Sequence, residues 1–95
     1  MSEFDIWEKV FKKLGYQFVD EETGQWGINV AIYRIEGGYI RLYFNLKTLE
    51  VRYVNIKRTS YDQADKPHMT KKLFYSLYYD LFREVKLDYF LEDDN

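Results

Sequence analysis

Hydrophobic and polar positions along the chain change period twice. Over the first residues Phe4, Trp7, Val10, Phe11 and Leu14 recur at helical spacing, with Asp5, Glu8, Lys9 and Lys12 on the opposite side. That is the pattern of an amphipathic helix with one buried stripe. Ser2 followed by Asp5 has the form of a capping box with Asp in place of the usual Glu. Lys12 and Lys13 suit the negative end of the helix dipole, and Gly15 suits the left-handed position after the last turn. The spacing predicts a helix over 3–14.

The period then drops to two. YQFVD (Tyr16 to Asp20) reads as a short strand, EETG as a turn, and QWGINVAIYRIE (Gln25 to Glu36) as a second strand rich in β-branched and aromatic residues. Gly37 and Gly38 interrupt it, YIRLYFN follows, LKTL makes another turn, and EVRYVNIK (Glu50 to Lys57) is the last strand. Connections this short exclude parallel crossovers, so the prediction is an antiparallel meander of three or four strands.

Register decides which side chains share a face, because opposed residues of an antiparallel pair point the same way. A two-residue Gly37-Gly38 turn sets Arg34 against Arg41 and scatters apolar residues over both sides. A three-residue loop of Glu36, Gly37 and Gly38 sets Ile32 against Leu42, Val30 against Phe44 and Ile28 against Leu46, and the hydrophobic match favours it. One face is then Ile28, Val30, Ile32, Ile40, Leu42 and Phe44; the other is Asn29, Ala31, Tyr33, Tyr39, Arg41 and Tyr43. In the last hairpin a four-residue loop, Leu46 to Leu49, opposes Phe44 to Val51 and Leu42 to Tyr53. Slipped by one, Val54 and Ile56 rejoin the core while Val51 and Tyr53 turn outward. In both registers the strand is apolar on two sides, so the second face is not expected to be simply wet.

Residues 58–67, RTSYDQADKP, form one polar connection. Beyond it Met69, Leu73, Leu77, Leu81, Val85 and Tyr89 repeat every four residues, flanked by Phe74, Tyr78 and Phe82, which predicts a long helix over 70–87. Tyr75 and Tyr79 widen its apolar surface, and 88–95 reads as a frayed acidic tail. The expected architecture is α+β: an N-terminal helix, an antiparallel meander and a long C-terminal helix packed on the sheet. A competing arrangement places one helix on each face.

The 95 residues support a single domain, since a core of this size buries roughly 60 to 70% of the unfolded surface. One residue in five is aromatic, from ten Tyr, seven Phe and two Trp, which serves either a dense core or an adhesive surface. No cysteine is present, which removes disulfides, thiolate catalysis and Cys-ligated metal sites. The charged N-terminus lacks the apolar run of a signal peptide, and no stretch approaches the roughly 20 apolar residues of a membrane span, so a cytoplasmic location and no membrane partner are expected. Charge is uneven. Residues 1–24 hold three Lys against six Asp or Glu, 25–60 hold six Lys or Arg against two Glu, and 61–95 hold five against eight. The middle is basic and both ends are acidic, and such a patch guides encounter more than net charge does.

Catalytic signatures are sparse. His68 is the one histidine and sits beside Pro67, where it reads as a surface or capping residue; Asp62 and Asp65 lack the glycine and spacing of a calcium loop. Gly37-Gly38 is a hairpin tip and does not lead into a helix, so it is no phosphate loop. No catalytic residue, metal site or cofactor is assigned, and an enzyme is not expected.

The residues that invite a partner are Tyr33, Tyr39, Arg41, Tyr43, Arg52 and Tyr53, because Tyr and Arg are enriched where interface energy concentrates. The expected function is a small protein-binding module, regulatory or inhibitory, working through this Tyr/Arg sheet face or its acidic ends, with a protein partner or a homodimer as occupant. Small, cysteine-free, aromatic-rich acidic chains of this order suit the class of phage and mobile-element accessory proteins. Acidic ends that mimic nucleic acid, through Glu92, Asp93 and Asp94, would select a nucleic-acid-binding partner. The alternative is single-stranded nucleic acid stacked on the same tyrosines and neutralised by Arg41 and Lys57. With Lys71 and Lys72 near the start of the second helix, the element order resembles that of the double-stranded RNA-binding domain. The GPxH-type loop and alanine-rich basic helix of that family are missing here, and no site is carried over.

Overall fold

A computed structural model of the chain describes residues 2–58 and 67–93, with side chains for 2–57 and 70–87. Helix α1 (Glu3–Lys13) begins at a complete capping box: the Asp5 amide donates to Ser2 Oγ (3.1 Å) and the Ser2 amide to Asp5 Oδ2 (3.4 Å). It ends in a Schellman motif. Gly15 takes φ +82°, its amide donates to the Lys12 carbonyl, and the Tyr16 amide reaches back to that of Phe11, with the two rings 5.4 Å apart.

Strands β1 (Gln17–Thr23), β2 (Ile28–Ile35), β3 (Gly38–Asn45) and β4 (Val51–Arg58) form one antiparallel sheet in that order. The EET segment expected as a turn is strand, and the first turn falls instead on Gln25–Ile28, closed by an Ile28 amide to Gln25 carbonyl bond of 3.1 Å.

Two corrections to register set the faces of the sheet. The three-residue loop after β2 does not form: the turn is Glu36-Gly37, and Gly38 is already paired with Ile35. Ile32 therefore opposes Arg41, Val30 opposes Tyr43 and Ile28 opposes Asn45. One residue of slip exchanges the faces of β2 completely. Ala31 and Tyr33 join Ile40, Leu42 and Phe44 beneath the helices, and Ile28, Val30 and Ile32 turn to the other side with Tyr39, Arg41 and Tyr43. What Tyr33 gains there is specific: ring contact with Phe11 at 4.9 Å and a hydrogen bond to Glu8.

In the last hairpin both candidate registers are partly right. Phe44 pairs with Val51, but Tyr43 pairs with Tyr53 and Leu42 with Val54, so Arg52 is the extra residue of a β-bulge. The bulge lets Val51 and Val54 both enter the core while Tyr53 faces out.

The long helix is broken. Helix α2 (Pro67–Leu77) and helix α3 (Tyr79–Asp93) are separated at Tyr78. Of the expected stripe, Val85 is buried and Leu81 is half-buried against the core, but Leu73 and Leu77 lie outside it, and the side chains of Met69 and Tyr89 fall outside the described residues. Thr70, Phe74, Phe82 and Val85 are buried, whereas Leu73 and Leu77 are 59% and 75% exposed. The break shifts the phase, and the aromatic row wins because Phe74 and Phe82 pack around Trp7, with ring centroids 5.4 and 4.7 Å away. Of the expected 58–67 connection, Arg58 closes β4 and Pro67 opens α2, while 59–66, with Asp62 and Asp65, and the His68 side chain lie outside the described residues. So do the side chains of the acidic tail, where the α3 backbone remains helical to Asp93.

The core lies in one layer between the three helices and one face of the sheet. Phe4 stacks on Phe44 at 3.8 Å, and Phe11, Phe82, Ile40, Leu42, Val10, Val54 and Val85 are fully buried. The arrangement with one helix on each face is thereby excluded: α1, α2 and α3 all contribute to this one cluster.

Candidate functional site on the open sheet face

Because the helices share one side, the other face of the sheet carries none of the described helices. Its side chains fall into three rows running from β1 to β4: Glu22, Val30, Tyr43, Tyr53; then Asp20, Ile32, Arg41, Asn55; then Gln17, Arg34, Tyr39, Lys57. A bulge at Val19 brings Asp20 opposite Ile32. The rows read alike: acidic or polar at β1, mainly aliphatic at β2, aromatic or cationic at β3, and Tyr53, Asn55 and Lys57 at β4.

Val30 and Ile32 are each only 8% exposed although no helix covers them. Their cross-strand neighbours explain it: Val30 lies between Glu22 and Tyr43, and Ile32 between Asp20 and Arg41, so two short β-branched side chains sit below longer ones. Tyr43 and Tyr53 stack with centroids 4.2 Å apart and planes 25° apart. Burial, and then the neighbouring Tyr43 phenol, push the Tyr53 hydroxyl above its usual pKa. Beside them Asn55 Oδ1 is buried with no hydrogen-bond partner among the described residues.

The β1–β2 turn adds an aromatic at the edge of this face. Trp26 is 93% exposed and holds φ +60°, followed by Gly27 at +73°. Two successive left-handed residues make the type I′ turn that suits hairpin twist, but the first is normally Asn or Gly. Trp26, Ile28, Val30, Tyr43, Arg52 and Tyr53 line one concavity of about 350 Å³.

Of the six residues expected at a partner surface, Tyr39, Arg41, Tyr43 and Tyr53 share this face, and Arg52 joins its rim from the bulge on the outer strand. Tyr33 does not belong to it. It is 4% exposed on the opposite face, where burial first, and then its bond to Glu8, raise its hydroxyl pKa far above the ordinary phenol value. The sequence reading missed Trp26, Ile28, Val30 and Ile32. A Trp flanked by glycines in TGQWGI was the available signal for a turn tip.

Among the described residues there is no cluster of three metal-ligating side chains, and no helix is long and apolar enough to cross a membrane. Comparison with protein-family models, curated proteins and solved structures gives no match for this chain.

Proposed function

We propose that this chain is a small protein-binding module, regulatory or inhibitory in role, that docks on another protein through the open face of its sheet. The observation that carries the reading is the concavity formed by Trp26, Ile28, Val30, Tyr43, Arg52 and Tyr53, where apolar floor, aromatic walls and a cation converge. This is the composition of the energetic centre of a protein interface. The division of the face, Asp20 and Glu22 at β1 against Arg41 and Lys57 at β3 and β4, suits a partner with the reverse arrangement. A cysteine-free chain fits a cytoplasmic setting.

Single-stranded nucleic acid is the second reading, favoured by the Tyr43–Tyr53 stack beside Arg41. Asp20 and Glu22 count against it, because they place carboxylates where a phosphate chain would cross.

The test is quantitative capture from a lysate of the source cells with the wild-type chain and the Tyr43→Ala/Tyr53→Ala variant, followed by affinity measurement on the purified partner. A one-to-one partner held at least about tenfold more weakly by the variant is expected, since interface centres lose on the order of 2 kcal/mol per anchor. Equal retention by the variant would remove the sheet face. A concentration-dependent dimer lost in the variant would identify the occupant as a second copy. Low-salt binding of a labelled single-stranded oligonucleotide, abolished by Arg41→Ala, would move the assignment to nucleic acid.

A further inference from the structure

A second concavity opens on the helical side, away from the sheet face. It has a volume of about 630 Å³ and lies between the starts of α1 and β4, the middle of α2 and the first turns of α3. Its apolar lining is Ile6, Trp7, Phe82 and Tyr75. Its rim is cationic, with Arg52, Lys71, Lys72 and Lys86 against the single carboxylate of Glu3.

That carboxylate is already engaged. Glu3 Oε1 accepts from the Val51 amide at 2.5 Å, and Oε2 lies 3.6 Å from Lys71 Nζ. Lys71 in turn donates to the Val51 carbonyl at 2.6 Å. Among the described residues none of Arg52, Lys72 and Lys86 is ion-paired, so three cations around an aromatic floor lack counter-charge. Mutual repulsion of clustered cations is an unfavourable arrangement unless an anion relieves it. The volume falls in the range of small-molecule sites, about 300–1,000 Å³.

We propose that this groove binds a small organic anion, a carboxylate or sulfonate carried on a flat aromatic body. The ring lies against Trp7, Tyr75 and Phe82, and the acid group meets Lys72 and Lys86, with Arg52 at the far rim. Charge complementarity selects the acid, and the aromatic lining of Trp7, Tyr75 and Phe82 selects the flat body. This assignment does not rest on the reading of the sheet face, whose residues lie on the other side of the molecule apart from the shared Arg52.

The test uses the full chain carrying Trp26→Phe, which leaves Trp7 as the one indole. The probe is 1-anilinonaphthalene-8-sulfonate, followed by energy transfer from Trp7, and compared with uncharged N-phenyl-1-naphthylamine of the same ring system. Saturable one-to-one binding of the sulfonate is expected, about tenfold tighter than the neutral compound and weakened about tenfold by Lys72→Glu/Lys86→Glu. Both lysines are on exposed helix positions, and circular dichroism checks that the variant stays folded. Tyr43→Ala/Tyr53→Ala is expected to leave binding unchanged. Equal affinity for the neutral compound, no effect of the lysine reversal, or loss of binding in the tyrosine variant would each overturn the proposal. Displacement of the probe by octaglutamate at equal concentration would overturn it too, by assigning the rim to an acidic peptide.

Discussion

The Tyr33 hydroxyl donates a 2.6 Å hydrogen bond to Glu8 Oε2, tying the second strand of the sheet to the first helix. Tyr33 is nearly buried and Glu8 half-buried, so the bond closes one margin of the core. Burial and the Glu8 carboxylate both favour the protonated phenol. A group whose folded pKa exceeds its unfolded value contributes stability that is complete below the unfolded value and lost as pH rises towards the folded one. Here that loss begins near the ordinary phenol pKa of 10.0. Urea denaturation from pH 7 to 11 is expected to give a steeper alkaline decline in the wild type than in Tyr33→Phe. At pH 7 the variant is expected to lose about 1.5 kcal/mol, the low end for a bond to a charged acceptor because Glu8 regains water. Parallel alkaline limbs would refute the assignment.

Trp26 holds a left-handed backbone conformation at the tip of the first hairpin. That conformation costs an ordinary L-residue about 1–2 kcal/mol, and Asn tolerates it best among non-glycine residues. The exposed ring recovers little packing. Trp26→Asn is therefore expected to raise the stability by about 1 kcal/mol, read as the urea midpoint, while weakening the captured partner of the sheet face. A destabilised variant would mean that the ring packs in solution.

Arg52 is the extra residue of the bulge in β4. Its deletion leaves Val51 opposite Phe44, Tyr53 opposite Tyr43 and Val54 opposite Leu42, now as a regular ladder. The deletion is expected to change stability by no more than about 1 kcal/mol, within the usual range for a tolerated change. Deleting Asn55 instead turns Ile56 outward and Lys57 towards the core, and is expected to unfold the chain or cost more than about 3 kcal/mol. Thermal melts and amide spectra of the two deletions compare them directly.

Glu3, Val51 and Lys71 form a clamp in which side chains of α1 and α2 close both backbone groups at the start of β4. Glu3→Ala leaves the Val51 amide unpaired and is expected to cost about 1–2 kcal/mol. Glu3→Gln keeps an acceptor and removes only a partly exposed charge, so its cost is expected to stay within about 0.5 kcal/mol. Chemical denaturation of both variants separates the hydrogen bond from the ion pair.

Elements governed by neighbours within a turn or two were legible in the chain. The first helix, its capping box and its glycine stop involve residues three to five apart, and each occurs where Ser2, Asp5 and Gly15 predict it. An antiparallel meander of three or four strands follows from period and loop length in the same way, and the structure makes it four, with the first strand running on through Thr23. Tyr39, Arg41 and Tyr43 as companions on one face were also legible from alternation within β3, whereas Tyr53 joined them in only one of the two candidate registers and is placed there by the bulge in β4.

What alternation leaves open is which side of β2 meets the helices. Val30 and Ile32 are apolar, and so are Ala31 and Tyr33, so the pattern of that strand is equally satisfied by either face. Tertiary packing decided it: Tyr33 reaches Glu8 and Phe11 only from the helical side, and Ala31 leaves room there for the aromatic layer. The bulge at Arg52 and the break at Tyr78 belong to the same category. Each inserts a local irregularity whose reward, Val51 and Val54 together in the core or Phe74 and Phe82 around Trp7, comes from residues far away in the chain. By itself the sequence determined the first helix, the order of helix, aromatic and basic meander, and helical C-terminal part. Only the assembled structure decided that all three helices lie on one side, leaving Ile28, Val30 and Ile32 beside the tyrosines on the other. Faces are chosen by contacts between distant segments, and a one-residue slip that costs nothing locally reverses them.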